Sequence, residues 1–336
     1  MSDHRKSLTS RGFSDRSASL MLDARRKSTT NTYSSPWRKW VYWCRERGHD
    51  PYNSLITDIA DFLADCFEKG LSAAYIGVIR SAISCYHNHI DGRPVGQHPY
   101  IIKLLDGVKT QRPAAEKLPM VWNADQVIYF LKVLGKMECL SLRMLTYKTV
   151  MLICLANIPR ASDVTGMKLS RMSSLPERLV IFFDDPRKHE RERNSNFRSR
   201  SAKGPLEIYD FEEDRDLCPV TFLNYYVEKT SVFRGEEDQI FLALPRPHNK
   251  VKSETIARWI KETLKRAGID IDRFTAHSVR HASSAVARIR GVTIKNIMDK
   301  GRWTSSSVWQ KHYYKEVVSE GREFQNAVFK NHKALK

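Results

Sequence analysis

The sequence predicts a mainly helical chain of two domains, with a small antiparallel sheet in the second. Three observations carry this. The 336 residues exceed a single typical domain, at roughly 100–200 residues each. Apolar residues recur at helical spacing along most of the chain. Two short apolar runs of strand character flank one long, polar, basic stretch.

The elements follow in order. Residues 1–30 hold seven Lys/Arg and three Asp/Glu with little apolar periodicity, which predicts a flexible basic arm. Residues 31–112 predict a small helical domain. Tyr33, Trp37, Trp40, Val41 and Cys44 share one helix face, as do Leu55, Ile59, Phe62, Leu63 and Phe67. Val78, Ile79, Ala82, Ile83 and Tyr86 mark a third helix. Pro99 opens a fourth with Ile101, Leu104, Leu105 and Val108. Gln111 to Met120 reads as an extended linker, broken by two prolines.

Residues 113–336 form the second domain. Asn123, three residues before Gln126, suggests a capping box. A long apolar helix covers about Leu142 to Asn157; Pro159 ends it, and a new turn starts at Ala161. Leu179–Phe183 and Glu207–Phe211 read as strands, and Gln239–Leu244 as another. Pro219–Lys229 and Ser253–Ala267 read as helices, the second ending at Gly268. Thr275 is read as the cap of a helix reaching Arg290, and Thr293 begins a short one ending at Gly301. A last helical pair covers about Ser306–Val318 and Arg322–His332, with 319–336 as a tail.

Lys+Arg number 56 against 38 Asp+Glu, a net charge of +18, which points to a polyanionic partner. No apolar run approaches the ~20 residues that span a bilayer, and the Ser- and Arg-rich start lacks the apolar core of a secretory signal. The six cysteines are scattered without metal-ligand spacing, which suits buried thiols in an intracellular, reducing compartment.

Chemistry concentrates at a few places. His277 and Arg280 lie three apart near a helix start, where an anion is favoured. Arg160 follows a helix break, and Asp163 stands three residues on to hold it. Between Asp185 and Pro205 lie seven Lys/Arg and two Glu. Such a basic hairpin loop can contact phosphates through Arg187, Arg191, Arg193, Arg198 and Arg200. Downstream, Trp303 precedes a helix with Tyr313 and Tyr314.

In this order, Arg160-Ala-Ser-Asp163, a basic-hairpin lysine, His277-x-x-Arg280-His281, Trp303 and a tyrosine resemble the boxes of the tyrosine recombinases, the phage-integrase-type enzymes. The resemblance covers nearly the whole chain after residue 30. It implies a SAM-like core-binding domain at 31–112 followed by a catalytic domain. LCPVTFLNYYV, TIARWIK and GRWTSSSVWQKHYYK look most like recombinases of eukaryotic mobile elements of the DIRS, Ngaro and Crypton kinds.

The resemblance implies site-specific cleavage and rejoining of double-stranded DNA through a 3′-phosphotyrosine, without metal or cofactor. Tyr313 would be the nucleophile, with Tyr314 as alternate. Arg160, Arg280, His277 and Trp303 would hold the phosphate. Lys188, with Lys203 as alternate, would protonate the leaving oxygen. Asp163 and His281 would support them. It further implies a homotetramer on two paired DNA sites, the tail docking in trans, and a nuclear location in a eukaryote, or cytoplasm and nucleoid otherwise. Three other readings compete: a catalytically silent DNA-binding protein of the same fold, a type IB topoisomerase-like relaxing enzyme, and a metal-dependent nuclease using Asp184 and Asp185.

Overall fold

The computed structural model describes residues 4–5, 8–9, 11–23, 27–113, 121–184 and 204–303. Its contacts divide the chain into two units, Met1–Lys117 and Leu118–Lys336.

Among the described residues, five α-helices build the first unit: α1 (Asp15–Asp23), α2 (Lys27–Arg47), α3 (Ile56–Glu68), α4 (Ala73–Tyr86) and α5 (Pro99–Gln111). The apolar stripes seen in the sequence meet in one core. Trp37, Trp40, Trp43, Phe62, Ile79, Ile83 and Ile101 are all buried in it. The Trp40 and Trp43 rings stack at 5.4 Å, and Trp40 Nε1 donates to Pro51 O at 2.9 Å. That bond satisfies the one polar atom of the largest buried ring. Part of the expected arm at 1–30 is described. It contains α1, whose Ala18 is fully buried, and α2 begins at Lys27 rather than near Tyr33.

The second unit begins with α6 (Ala124–Val133), followed by α7 (Leu142–Asn157) and α8 (Ala161–Thr165). Asn123 caps α6, its side chain accepting from Asp125 N at 2.9 Å. The Gln126 side chain, expected to complete a capping box, reaches across to the Ala267 carbonyl instead, its Nε2 donating at 2.8 Å. α7 is the central helix of the unit. Leu145 through Cys154 are buried along its whole circumference, so it needs no polar face.

A three-stranded antiparallel sheet follows, in the order β1 (Met172–Leu175), β2 (Arg178–Ile181), β3 (Leu206–Tyr209). Leu179 pairs with Ile208 and Ile181 with Leu206, so the two strands read from the sequence do flank the basic stretch as a hairpin pair. β1 escaped sequence reading because its residues are largely exposed and include two serines. Residues 239–244 are not a strand and make only isolated bridges, Lys168 with Gln239 and Leu242 with Lys250. The reason is side-chain competition. The buried Arg234 guanidinium takes the carbonyls of Gln239 and Ile240, at 2.8 and 3.1 Å. The Gln239 amide accepts from Val251 N at 2.6 Å, occupying the place of a ladder bond.

Helices α9 (Pro219–Ser231), α10 (Ser253–Arg266), α11 (Ser278–Ile289) and α12 (Ile294–Gly301) complete the described unit. Gly268 takes the left-handed conformation just past α10, with φ +79°. The last helical pair and the tail lie outside the described residues.

Candidate active site

The site is assembled where three chain breaks converge: the end of α7, the start of α11 and the end of α12. α7 stops at Ile158, which has φ 43°. A β-branched residue is disfavoured there by roughly 1–2 kcal/mol. The turn aims the Ile158 carbonyl at α11, and Arg280 Nη1 donates to it. Arg280 Nη2 donates to Gly301 O, the last residue of α12, at 2.8 Å. One buried guanidinium thus ties together two helix ends that are distant in sequence.

Arg280 is 3% exposed. Two backbone carbonyls orient its guanidinium. The Trp303 ring lies face-on, its centre 4.8 Å from the guanidinium carbon, and adds a cation–π contact. Trp303 packs in turn against Ile158 and Ile297. Gly301 makes this possible, because a Cβ built there would stand 2.0 Å from Trp303 Cζ3.

Arg160 comes two residues after Ile158 and precedes α8. Asp163 Oδ2 accepts from the Arg160 backbone N–H at 3.0 Å, fixing the backbone from which the side chain springs. Asp163 is itself buried.

α11 begins later than expected. Thr275 is not its cap; the chain makes a turn there, with Ser278 N donating to Thr275 O at 2.9 Å, and His277 is the N-cap. His277 is exposed, on the helix rim, while Arg280 points inward. The His277 and His281 rings meet edge-on at 5.6 Å. Trp122, unnoticed in the sequence, pins this helix start by donating Nε1 to Ser278 Oγ at 2.8 Å.

Beneath Arg280, burial pushes the Cys154 thiol up to about 12, which keeps it neutral beside the guanidinium. Asp184 is held by Lys168 and Arg171, each at 2.6 Å. The hydrogen bond from Lys168 is the main reason its carboxyl lies below the usual range, and both cations occupy the oxygens a metal would need.

The structure therefore brings Arg280, Trp303 and the Ile158–Arg160 turn into one cluster, with His277 and His281 at its rim. Tyr313, Tyr314, Lys188 and Lys203 lie outside the described residues, as do Asp185 and the arginines at 187, 191, 193, 198 and 200. Ile158, Gly301, Trp122 and Ser278 were missed. Backbone carbonyls leave no sequence signal, and only the Gly-x-Trp spacing hinted at Gly301.

The family model described as Phage integrase family matches residues 123–319. Among solved structures, the XerH site-specific recombinase bound to a palindromic difH substrate, a post-cleavage complex, is similar at 13% identity. That likeness covers 90% of this chain and 80% of the other, with a TM-score of 0.59. A lambda integrase dimer bound to a COC′ core site is similar at 16% identity over 93% of each chain, with a TM-score of 0.51. At such identities the likeness is one of fold. No curated protein matches the chain.

Proposed function

The chain belongs to the phage integrase family, and from this premise we propose that it is a site-specific tyrosine recombinase, cleaving and rejoining double-stranded DNA through a 3′-phosphotyrosine. The observation that carries the reading is the buried Arg280, oriented by the Ile158 and Gly301 carbonyls and backed by Trp303. The basic surplus of +18 is in keeping with a polyanionic partner.

In this reading Tyr313 attacks a DNA phosphorus and the bond to the 5′-oxygen breaks. A free tyrosine has a pKa of ~10, so its phenolate at pH 7 costs about 4 kcal/mol. Passing the proton to His277 during attack, beside two guanidiniums, lowers that cost. Arg160 and Arg280 hold the non-bridging oxygens and offset the charge that develops on them. The Trp303 indole N–H donates to the same phosphate. Lys188 protonates the leaving 5′-oxygen, with Lys203 as the alternate. Rejoining reverses these steps with a second 5′-hydroxyl, so bond energy is conserved.

The lambda integrase and XerH complexes are DNA-bound, which supports DNA as the partner. Four protomers on two paired sites, a tail at 319–336 docking in trans, and service to a mobile element in a eukaryotic nucleus complete the proposal. A similar fold in the Tn1549 transposon integrase, at a TM-score of 0.50, is in keeping with the mobile-element part.

A nicked suicide duplex carrying the sequences that flank the chain's own gene tests the reading. A covalent protein–DNA adduct formed in EDTA is expected. Cleavage that needs a divalent metal, or binding with no adduct on any paired site, overturns it.

A further inference from the structure

α11 carries His277, Arg280 and His281, and one short segment of chain holds both of its ends. At its start, Trp122 Nε1 donates to Ser278 Oγ at 2.8 Å, a bond between residues 156 apart. At its finish, Arg290 Nη2 meets Asp125 Oδ1 at 2.6 Å. Trp122 and Asp125 lie on either side of Asn123, the cap of α6.

The two grips differ in kind. The Arg290 and Asp125 side chains are 60% and 59% exposed, so their pair is solvated and weak. Trp122 is 5% exposed, and its ring belongs to the core around α7. Its N–H therefore holds Ser278 against a packed ring, and the bond sets a direction as well as a distance.

Ser278 is the first residue of α11, and His277 before it is the N-cap. His277 already has helical backbone angles, φ −69° and ψ −21°. Successive helical residues turn by about 100°, so the direction of Ser278 sets that of His277. Arg280 has anchors of its own in the Ile158 and Gly301 carbonyls. The His277 side chain makes no capping bond to its helix. We propose that Trp122 is a positioning residue for His277: its indole N–H holds the first turn of α11 so that the imidazole faces the phosphate received by Arg280. This rests on the reading above that His277 takes the proton of the nucleophile.

The alternative is that Trp122 only fills the core. The two differ in what carries the effect. A positioning role acts through the imidazole and disappears when the imidazole is gone. A packing role acts on the whole helix and persists without it.

The test measures single-turnover cleavage of a nicked suicide duplex carrying the flanking sequences of the chain's own gene. Trp122→Phe removes the N–H and keeps a ring. Ser278→Ala removes the acceptor and leaves Trp122 untouched, so it secures the test if the melting temperature shows that Trp122→Phe unfolds. Each should slow cleavage about tenfold, the scale of one hydrogen bond, with unchanged DNA affinity. His277→Ala alone should slow it ~10²-fold or more. The double variants decide: in the His277→Ala background, neither Trp122→Phe nor Ser278→Ala should slow cleavage further. If Ser278→Ala is unslowed, or if the loss is as large without His277 as with it, the His277 reading stands and the role of Trp122 is overturned. If His277→Ala cleaves like the wild type, the proton-transfer reading itself fails, and this inference with it.

Discussion

Arg280 and Trp303 hold one another in place: the guanidinium carbon lies 4.8 Å from the centre of the ring, and Arg280 Nη2 reaches the carbonyl two residues before that ring at 2.8 Å. Burying an arginine is costly unless its donors are met. Here the ring and two carbonyls help to offset the cost. Removing the ring should therefore damage both partners. Trp303→Ala is expected to lower stability by about 3–5 kcal/mol, the range for truncating a packed aromatic. Urea unfolding followed by circular dichroism checks this. A loss under 1 kcal/mol would mean that the ring is not packed as described.

Gly301 gives a sharper test of the same geometry. A Cβ there would lie 2.0 Å from Trp303 Cζ3, closer than any real contact, and the ring has Ile158 and Ile297 behind it. Gly301→Ala should thus displace the indole, at about 1–3 kcal/mol as for other overpacked sites. The helix itself should tolerate alanine, which favours helix over glycine. Tryptophan emission should shift while far-ultraviolet dichroism stays unchanged. An unaltered emission spectrum would show that the ring does not rest on Gly301.

Much of this architecture is legible in the sequence, for a physical reason. α7 is long and rich in apolar residues and ends at Asn157 before a proline, so both its identity and its end are written in side chains. The strands at Leu179 and Ile208 announce themselves by the same means. What stays hidden is whatever rests on backbone atoms. The carbonyls of Ile158 and Gly301 that seat Arg280 have no residue code. The segment at 239–244 has strand-like side chains, yet Arg234 claims its carbonyls. His277 and Arg280 were found by spacing, but the half-turn that makes His277 a cap, exposed, and Arg280 a buried group depends on where α11 starts.

The buried thiols predict an alkaline limit to stability. Burial pushes the Cys44 thiol up to about 11 and the Cys154 thiol up to about 12. Both lie above the ordinary thiol value, so the folded state holds its protons where the unfolded chain releases them. The stabilising contribution is complete below about pH 9 and is lost as pH rises toward 11 and 12, at up to about 1.4 kcal/mol per pH unit for each thiol. Urea midpoints from pH 8 to 10.5 check it, with Cys154→Ala expected to flatten the decline. A decline unchanged in that variant would remove Cys154 as a cause. Thiol labelling at pH 8 should meanwhile modify the exposed Cys139 first.

The nucleophile assignment predicts a clean separation between binding and chemistry. Tyr313→Phe removes one oxygen, so it should abolish the covalent adduct on a suicide duplex while non-covalent affinity stays near wild type. Gel electrophoresis under denaturing conditions reads the adduct. Its persistence in Tyr313→Phe together with its loss in Tyr314→Phe would move the nucleophile by one residue. Persistence in both would remove tyrosine chemistry altogether.

The charge distribution predicts how the two units share DNA. Residues 1–117 carry 18 Lys/Arg against 12 Asp/Glu, and residues 118–336 carry 38 against 26, so both units hold a basic surplus. Each phosphate contact releases counterions, and log K falls by ~0.9 per contact for each tenfold rise in salt. If both units touch the duplex, the full chain has the steeper slope. A chain beginning at Leu118 has its own buried core, centred on α7, and should remain folded. Its slope should be shallower by at least one or two contacts, and its affinity should drop most at low salt. Fluorescence anisotropy with a labelled duplex, titrated with salt between 50 and 300 mM, measures both slopes. Equal slopes would assign every phosphate contact to the second unit and leave the first without a part in binding.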